Sequence, residues 1–273
     1  MIAPDPPDDI LATEVFSAIQ GEAALVGFRQ VFVRLTGCNI RCAYCDQPEA
    51  LDKRPGPCRI EQTPGRRDWA VVDSPLPIAS LASKVDALWR QLAHHSISLT
   101  GGEPLMQSAR VVELARQLAA GGREVMLETN GTLVSALAAA LPWLRYVSMD
   151  VKLPSVDGEH VVPETQWKFL DTALESGVTT WVKLVIGATV DLQEFDRAIT
   201  MVSELADRRC PSVPGTLPGA DLRPDVFLQP VTPFGTVEAA PTPQQVLDLQ
   251  ARALRRYPSV RVVPQTHKAI GQL

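Results

Sequence analysis

Three cysteines lie within eight residues of the stretch RLTGCNIRCAYCDQ, at Cys38, Cys42 and Cys45. A disulfide would leave one of these thiols unpaired, so a metal site is the better interpretation. A structural zinc site needs four protein ligands, and Cys58, thirteen residues past Cys45, is a possible fourth. A 4Fe–4S cluster held by three thiolates would instead leave one iron open for a ligand, and this interpretation is favoured over zinc.

A second motif, SLTGGEPL, covers residues 98–105. Gly101 and Gly102 permit a close approach of backbone groups to a ligand, and Glu103 offers a carboxylate to an ammonium group. Taken alone, the stretch also fits an ordinary turn into a helix, with Glu103 near the helix N-terminus. Both motifs follow predicted strands, where α/β proteins bind their ligands, so we expect them to share one site.

The elements that position these motifs follow from hydrophobic spacing. Short apolar runs rich in β-branched residues predict strands at 31–35, 97–100, 125–128, 146–151, 181–186 and 226–229. Helical spacing predicts helices at 81–92, 111–120, 133–140, 166–176, 192–205 and 243–255. Strands that alternate with helices predict an α/β fold with a parallel sheet, either an open partial barrel of six βα units or a doubly wound sheet.

Composition predicts a single domain over residues 1–273, with two Pro-rich interruptions. Residues 47–77 are expected to form an insertion loop that covers the site, and residues 210–224 a Pro/Gly-rich connection. The net charge of −5 argues against a nucleic-acid surface, and no run of about 18 apolar residues predicts a membrane span. The acidic, Pro-rich start is unlike a secretory signal, and five unevenly spaced cysteines favour a reducing cytoplasm.

The spacing C-x3-C-x2-C, with Tyr44 before the third cysteine, resembles the radical S-adenosylmethionine (SAM) superfamily. Residues 101–104 resemble the GGEP motif of the same superfamily. The resemblance implies a single-domain partial (βα)6 open barrel and a 4Fe–4S cluster on Cys38, Cys42 and Cys45. It also implies that SAM binds the open iron and that the cofactors supply radical chemistry.

Longer stretches resemble one family within this superfamily, the 7-carboxy-7-deazaguanine synthases. The likeness is strongest over residues 14–46 (EVFSAIQGEAALVGFRQVFVRLTGCNIRCAYCD), and LETNGT, SMDVKLPS and VVPQTHK extend it towards the end of the chain. The resemblance implies that 6-carboxy-5,6,7,8-tetrahydropterin loses a hydrogen at C6, contracts its ring and releases ammonia, on the route to queuosine and other 7-deazapurines. It further implies a flavodoxin-like electron donor and a homodimer.

The same resemblance implies roles for individual residues. Those expected to bind SAM are Tyr44, Cys45, Asp46, Gly102, Glu103, Asp150, Val151 and Lys152. Those expected to bind the pterin are Ile19, Gln20, Gly21, Glu22, Arg34, Thr100, His267 and Leu273. Arg34 is assigned to the substrate carboxylate, because a planar guanidinium can form two parallel hydrogen bonds with such a group.

Two positions depart from the family pattern. Relatives usually carry a threonine that binds magnesium where this chain has Gln47, although a glutamine carbonyl oxygen can also bind Mg²⁺. Relatives often read Ser-Pro-Lys where this chain has Asp150-Val151-Lys152. Two rival interpretations stay open at this point: an activase that installs a glycyl radical in a partner protein, and a zinc- or cluster-binding interaction module that is not an enzyme.

Overall fold

The computed structural model describes residues 8–52, 56–158, 161–210 and 223–272. Its strands are β1 (Asp9–Ile10), β2 (Ala12–Ile19), β3 (Arg29–Leu35), β4 (Cys58–Glu61), β5 (Trp69–Val72), β6 (Leu76–Pro77), β7 (Ser96–Gly101), β8 (Val125–Thr129), β9 (Tyr146–Val151), β10 (Thr179–Ile186), β11 (Val226–Pro230) and β12 (Val260–Val262). Its helices are α1 (Ile78–Trp89), α2 (Ser108–Ala120), α3 (Val134–Ala140), α4 (Pro154–Asp157), α5 (Pro163–Glu175), α6 (Leu192–Arg209), α7 (Pro243–Leu254) and α8 (Thr266–Ala269). Short 3-10 turns occupy Ala23–Leu25, Pro48–Leu51, Pro104–Gln107 and Leu141–Trp143.

Ten of the strands form one sheet, in the order β12-β11-β10-β9-β8-β7-β3-β2-β4-β5. Every neighbouring pair from β12 to β3 is parallel, and this run contains all six strands that the sequence predicts. The sheet continues through β2, which is antiparallel to β3, and then through β4 and β5. Because β12 and β5 are opposite edges among the described strands, the sheet is open, and the predicted α/β fold with a large parallel sheet is confirmed.

Helices cover one face of the sheet. Side chains alternate between the faces of a strand, and on this face Val31 and Val33 of β3 are fully buried in the main core. The helices α1, α2, α3, α5 and α6 contact one another in chain order over the same core. None of the described helices is both long enough and apolar enough to cross a membrane.

The opposite face changes from apolar to polar along the strands. Met126, Trp181 and Phe227 pack with the turn Ala23–Leu25 in a separate apolar cluster. Two residues further along the same strands come Glu128, Lys183 and Gln229, which point to the same face and line a cavity. This face is therefore apolar at Met126, Trp181 and Phe227 and polar two residues further along the strands, where the cavity begins.

The Pro-rich segment 47–77 is more ordered than its composition predicts. It contains β4 and β5, which extend the sheet beyond β2, and β6, which pairs with β1. Cys58 and Ile60 are buried on one face of β4, so alternating burial stabilises a strand that the prolines obscure in the sequence. Among its described residues, Gln47 and Leu51 are the ones that line the cavity. Most of the predicted connection 210–224 lies outside the described residues.

Candidate active site

The cysteine loop follows β3 at the carboxyl edge of the parallel strands. Gly37 begins the loop with φ of +87°, which glycine adopts without strain, and its N–H donates to Ala50 O at 2.8 Å. Cys38 is buried, Cys42 and Cys45 are half-buried, and all three thiols are free. Burial raises the pKa of Cys38 and raises that of Cys42 to about 11. These thiols therefore lose their protons readily only when a metal takes the proton's place.

Two glycines at the end of β7 let this strand lie against the cysteine loop. Gly101 has φ of +127°, and a Cβ added to it would overlap the backbone of Leu35. A Cβ on Gly102 would overlap the carbonyl oxygen of Gly37 and lie 2.7 Å from that of Ala50. Both glycines line the cavity, so their backbone is open to a ligand on one side and packed against the loop on the other.

Glu103 lies beneath the cavity and is fully buried. Its carboxylate accepts hydrogen bonds from Leu105 N at 3.0 Å, Asn130 N at 2.7 Å and Thr129 Oγ1 at 2.9 Å. Burial raises the pKa of Glu103 to about 7, although the two backbone donors act in the opposite direction. The side chain is not among those that line the cavity, and its hydrogen bonds join the segment after β7 to the end of β8. The contact with SAM that the sequence suggests stays a prediction.

The raised pKa of Glu103 predicts a stability that decreases towards neutral pH. Its folded pKa of about 7 exceeds the ordinary value of 4.5, so the folded state binds more protons between these values. Stability from this group is therefore complete below pH 4.5 and is lost as the pH rises through 7, by roughly 3 kcal/mol in total. Denaturant titrations at several pH values measure the free energy of unfolding of the wild type and of Glu103→Gln. If this free energy had the same pH dependence in both proteins, the prediction would be contradicted.

Two buried lysines and two half-buried carboxylates alternate in charge across the floor of the cavity. This charge row consists of Lys152, Asp150, Lys183 and Glu22. Asp150 accepts from both lysine ammonium groups at 3.0 Å, Lys183 also pairs with Glu22, and Gln265 Nε2 donates to Glu22 at 2.9 Å. Burial would raise the pKa of both carboxyl groups, but the lysines hold each below its ordinary value. The charge row is therefore ionised at neutral pH.

Polar groups of β8 and β9 reach the cysteine loop. Lys152 Nζ lies 3.3 Å from the Tyr44 hydroxyl and 5.5 Å from the centre of its ring. Asn130 Nδ2 lies 3.9 Å from Cys38 Sγ. Donors placed beside a sulfur ligand stabilise negative charge on it, so this side of the loop suits bound thiolates.

A second polar wall is built from Gln20 and Glu128. Gln20 Nε2 donates to Glu128 Oε1 at 3.1 Å and to Gln30 Oε1 at 2.9 Å, and Ser98 Oγ donates to Glu128 at 2.6 Å. Burial raises the pKa of Glu128. These bonds fix an amide and a carboxyl group in one orientation, as recognition of a polar heterocycle requires.

Arg34 lies on the cavity wall beside this polar group. Its Nε donates to Glu14 Oε2 at 3.1 Å, and its guanidinium stacks over Phe16 at 5.5 Å. Its two terminal nitrogens make no hydrogen bond to any residue that the structure describes. They are therefore available to an anionic ligand.

The segment around α8 closes the cavity. Thr266 N donates to Gly21 O at 2.9 Å, and His267 packs so closely that a Cβ on Gly21 would overlap its ring. Lys268 Nζ pairs with Asp46 at 2.7 Å. Residues near the end of the chain are thus tied both to the loop after β2 and to the cysteine loop. The cavity that results encloses about 1300 Å³ out to its open mouth.

Comparison with known proteins agrees with this geometry. Residues 32–202 match the family model of the Radical SAM superfamily. The chain is 37% identical over 265 residues to the 7-carboxy-7-deazaguanine synthase of Geobacter sulfurreducens, with 95% of this chain and 96% of that protein covered. The chain belongs to the 7-carboxy-7-deazaguanine synthase family of radical SAM enzymes.

A second relative supports membership of this family, and a solved structure shows the same fold. The 7-carboxy-7-deazaguanine synthase of Methanothermobacter thermautotrophicus is 31% identical over 276 residues, with 94% of this chain and 96% of that protein covered. The crystal structure of QueE from Escherichia coli covers 95% of both chains with a TM-score of 0.54 and 19% identity. The second match shows a shared fold.

Membership of the radical SAM superfamily implies a 4Fe–4S cluster and SAM, and the residues of this chain fit both. Cys38, Cys42 and Cys45 line one wall of the cavity as three soft donors, the ligand type that iron–sulfur clusters require. Beside them, Gly101 and Gly102 provide backbone without side chains in the position that a cofactor next to the cluster would occupy.

The position of Cys58 does not suit the fourth ligand of the alternative zinc site. Cys58 is fully buried in β4, belongs to the main core and does not line the cavity. In the part of the chain that the structure describes, no three His, Cys, Asp or Glu side chains are grouped to hold a single metal ion. A cluster spreads its thiolates over different irons, so the spacing of this loop suits a cluster better than one ion.

Most of the residues that the sequence assigns to the site line this cavity. They are Ile19, Gln20, Gly21, Glu22, Arg34, Cys38, Cys42, Tyr44, Cys45, Asp46, Gln47, Thr100, Gly102, Asp150, Lys152 and His267. Glu103 and Val151 are buried outside the lining, and Leu273 lies outside the described residues. The role of each residue towards a ligand stays a prediction.

Lys183, Gln229 and Gln265 are among the lining residues that are missing from the sequence prediction. Lys183 lies in the apolar run WVKLVI, where lysine is rarely buried without a charged partner, so its presence there is a signal. Gln229 is buried at the end of β11, and its Oε1 accepts no hydrogen bond from the described residues. Nothing in the sequence around Gln265 indicates its contact with Glu22.

Proposed function

We propose that this chain is a 7-carboxy-7-deazaguanine synthase, which converts 6-carboxy-5,6,7,8-tetrahydropterin to 7-carboxy-7-deazaguanine with release of ammonia. The observation that carries the proposal is the match to the Geobacter sulfurreducens synthase, which spans 95% of this chain and 96% of that protein. The geometry supports it, because one cavity brings Gln20, Arg34 and His267 together with the cysteine loop.

Each wall of the cavity suits one part of a carboxypterin. The terminal nitrogens of Arg34 bind the substrate carboxylate in a two-pronged contact. Gln20 and the carboxyl group of Glu128 hydrogen-bond the polar edge of the ring, since both are held in fixed orientations. Burial lowers the pKa of His267, so this ring is neutral at pH 7 and can accept or donate one hydrogen bond to the substrate.

The residues proposed for SAM lie between this wall and the cysteine loop. Tyr44, Cys45 and Asp46 approach it from the loop, Gly102 from β7, and Asp150 and Lys152 from β9. When bound, the cluster and SAM supply the one-electron chemistry that opens a carbon–hydrogen bond of the substrate. The protein's contribution is to orient substrate and cofactor and to limit access of water.

Magnesium is the third cofactor of the proposal, with Gln47 as its protein ligand. Gln47 lines the cavity, and its side-chain amide makes no hydrogen bond within the described ranges. Its carbonyl oxygen is therefore available as a ligand for a hard cation that keeps most of its waters. We expect a chelator to lower turnover and Mg²⁺ to restore it, and we expect Gln47→Ala to lose that restoration. Equal turnover with and without Mg²⁺ would remove magnesium from the proposal.

Four further points of the proposal rest on the resemblance and on composition. The chain is proposed to form one domain, to act as a homodimer, to work in the cytoplasm and to take its electron from a flavodoxin-like donor.

Anaerobic reconstitution tests the function. The reduced protein is supplied with SAM and carboxytetrahydropterin, and 7-carboxy-7-deazaguanine and ammonia are measured by chromatography and an enzymatic assay. We expect equal amounts of both products from the wild type and none from Cys42→Ser. Cleavage of SAM without formation of the deazaguanine would favour another radical SAM reaction, such as the activase.

A further inference from the structure

The tip of the cysteine loop is held from two sides by distant parts of the chain. Ala43 lies between Cys42 and Cys45, and both of its backbone polar groups are bonded to other loops. Its N–H donates to Asp157 O, at the end of α4, at 2.7 Å. Its carbonyl oxygen accepts from Thr236 N at 3.3 Å and from Thr236 Oγ1 at 3.5 Å.

The two hydrogen bonds to the Ala43 carbonyl oxygen come from a tight turn over residues 234–237, here named the clamp turn. It is closed by a hydrogen bond from Val237 N to Phe234 O at 3.1 Å. Gly235 has φ of +62° and lies so close to the cysteine loop that a Cβ on it would be 2.6 Å from Ala43 O. Contacts this short do not occur at real Cβ atoms, and the neighbour is backbone, so any larger residue must displace the loop.

The clamp turn is also joined to the cavity and to the segment near the end of the chain. Gln229, Val231 and Thr232, which line the cavity, come directly before it in the chain. The ammonium of Lys268 lies 6.0 Å from the ring of Phe234 and pairs with Asp46 in the cysteine loop. The clamp turn is therefore adjacent both to this wall of the cavity and to the segment around α8.

We propose that the clamp turn is a positioning element for the iron–sulfur cluster, and that Gly235 is its essential residue. It holds Ala43 so that the thiols of Cys42 and Cys45 are already arranged when iron arrives. Because a preformed loop loses less conformational freedom on binding, the turn increases the retention of the cluster without touching it. This inference rests on the proposed placement of the cluster on the three cysteines.

The variant Gly235→Ala tests the proposal, and Gly177→Ala is its matched control. Both glycines are left-handed, with φ of +62° and +75°, so both substitutions introduce similar backbone strain. A Cβ on Gly177, in the turn before β10, meets no atom within 4 Å. The two variants therefore differ in the overlap with the cysteine loop.

The measurement is the rate at which anaerobically reconstituted protein loses iron to a chelator, together with iron and sulfide per chain. Gly235→Ala is expected to lose iron about 10-fold faster than the wild type. Gly177→Ala is expected to match the wild type. Thermal unfolding of the metal-free proteins should place Gly235→Ala below Gly177→Ala, because only the first variant displaces the cysteine loop. Equal rates of iron loss in all three proteins would overturn the proposal.

Two additional variants keep the test decisive. Asparagine tolerates left-handed backbone but carries a Cβ, so Gly235→Asn is expected to lose iron as fast as Gly235→Ala. If Gly235→Asn lost iron no faster than the wild type, the faster loss in Gly235→Ala would be due to backbone strain. That result would overturn the proposal. If Gly235→Ala does not fold, Thr236→Val decides, since it removes only the hydroxyl bond to Ala43 and is expected to lose iron at least about twofold faster. A wild-type protein that holds no cluster would instead refute the proposed function.

Discussion

Replacing Lys183 with methionine is expected to lower kcat/KM for the pterin about 100-fold and the free energy of unfolding by about 3 kcal/mol. The ammonium of Lys183 is buried and lies between the half-buried carboxylates of Asp150 and Glu22 in the charge row. Methionine has a similar length without the charge, so Asp150 would keep only Lys152 as a partner, and Glu22 would keep no paired ammonium among the described residues. Asp150 and Glu22 should then move apart or take up protons, and the floor of the cavity loses its shape.

The stability deficit of Lys183→Met should depend on pH in a defined direction. In the wild type, the lysines hold the pKa of Glu22 and Asp150 below the ordinary values of 4.5 and 3.8. That stability is present above these values and is lost only as the pH falls through the lower folded pKa values. In the variant, Glu22 has no counter-charge and burial raises its pKa, whereas Asp150 keeps Lys152 and its pKa rises less. The stability deficit should therefore be smaller near pH 4 and increase towards pH 7.

Denaturant titrations at several pH values and steady-state kinetics check both parts of this prediction. Lys168→Met is the matched control, because Lys168 is exposed on α5 and its side chain makes no ion pair within the described ranges. Lys183→Arg keeps the charge and should recover part of the stability. A Lys183→Met protein that unfolds like the control at every pH would show that the charge row contributes nothing to stability.

The parallel strands could be predicted because their burial on one or both faces selects apolar, β-branched residues. The strands β2, β4 and β5, at the end of the sheet beyond β3, could not be predicted. Polar residues such as Glu14, Ser17 and Glu61 interrupt the apolar residues of β2 and β4, and prolines lie nearby in the sequence. Those polar residues are satisfied by contacts distant in sequence: Glu61 accepts from Ser17 N at 2.8 Å, and Glu14 pairs with Arg34. Contacts between separated segments leave no periodic signal, so local patterns missed the strands that carry them.

The same limit separates the predicted part of the site from the rest. The cysteine spacing and the two glycines are local, and their resemblance to a known superfamily identified them. Glu103 combines both cases, because its motif suggests a ligand contact, and Thr129 and Asn130 bind its carboxylate within the fold. Gln265 and Lys183 belong to the site only because α8 and β10 bring them to Glu22.

A Cβ at position 102 is expected to disturb the cysteine loop severely, because it would overlap the backbone of that loop. In Gly102→Ala, the new methyl group would overlap Gly37 O and lie 2.7 Å from Ala50 O, which accepts from Gly37 N at 2.8 Å. Both neighbours are backbone, so no side chain can rotate away, and relief requires a shift of the residue just before Cys38. We expect iron content after reconstitution to fall about 10-fold, with a stability loss of about 2 kcal/mol.

Iron and sulfide analysis, equilibrium binding of SAM and denaturant unfolding of the metal-free protein measure the three consequences of Gly102→Ala separately. Gly56→Ala is the control, since a Cβ there meets no atom within 4 Å. SAM binding should be lost even in the fraction of Gly102→Ala that retains a cluster, because the methyl group also alters the cavity wall on which SAM is proposed to lie. A variant that holds a full cluster and binds SAM normally would show that β7 and the cysteine loop can separate freely, and that their close contact is not what forms the site.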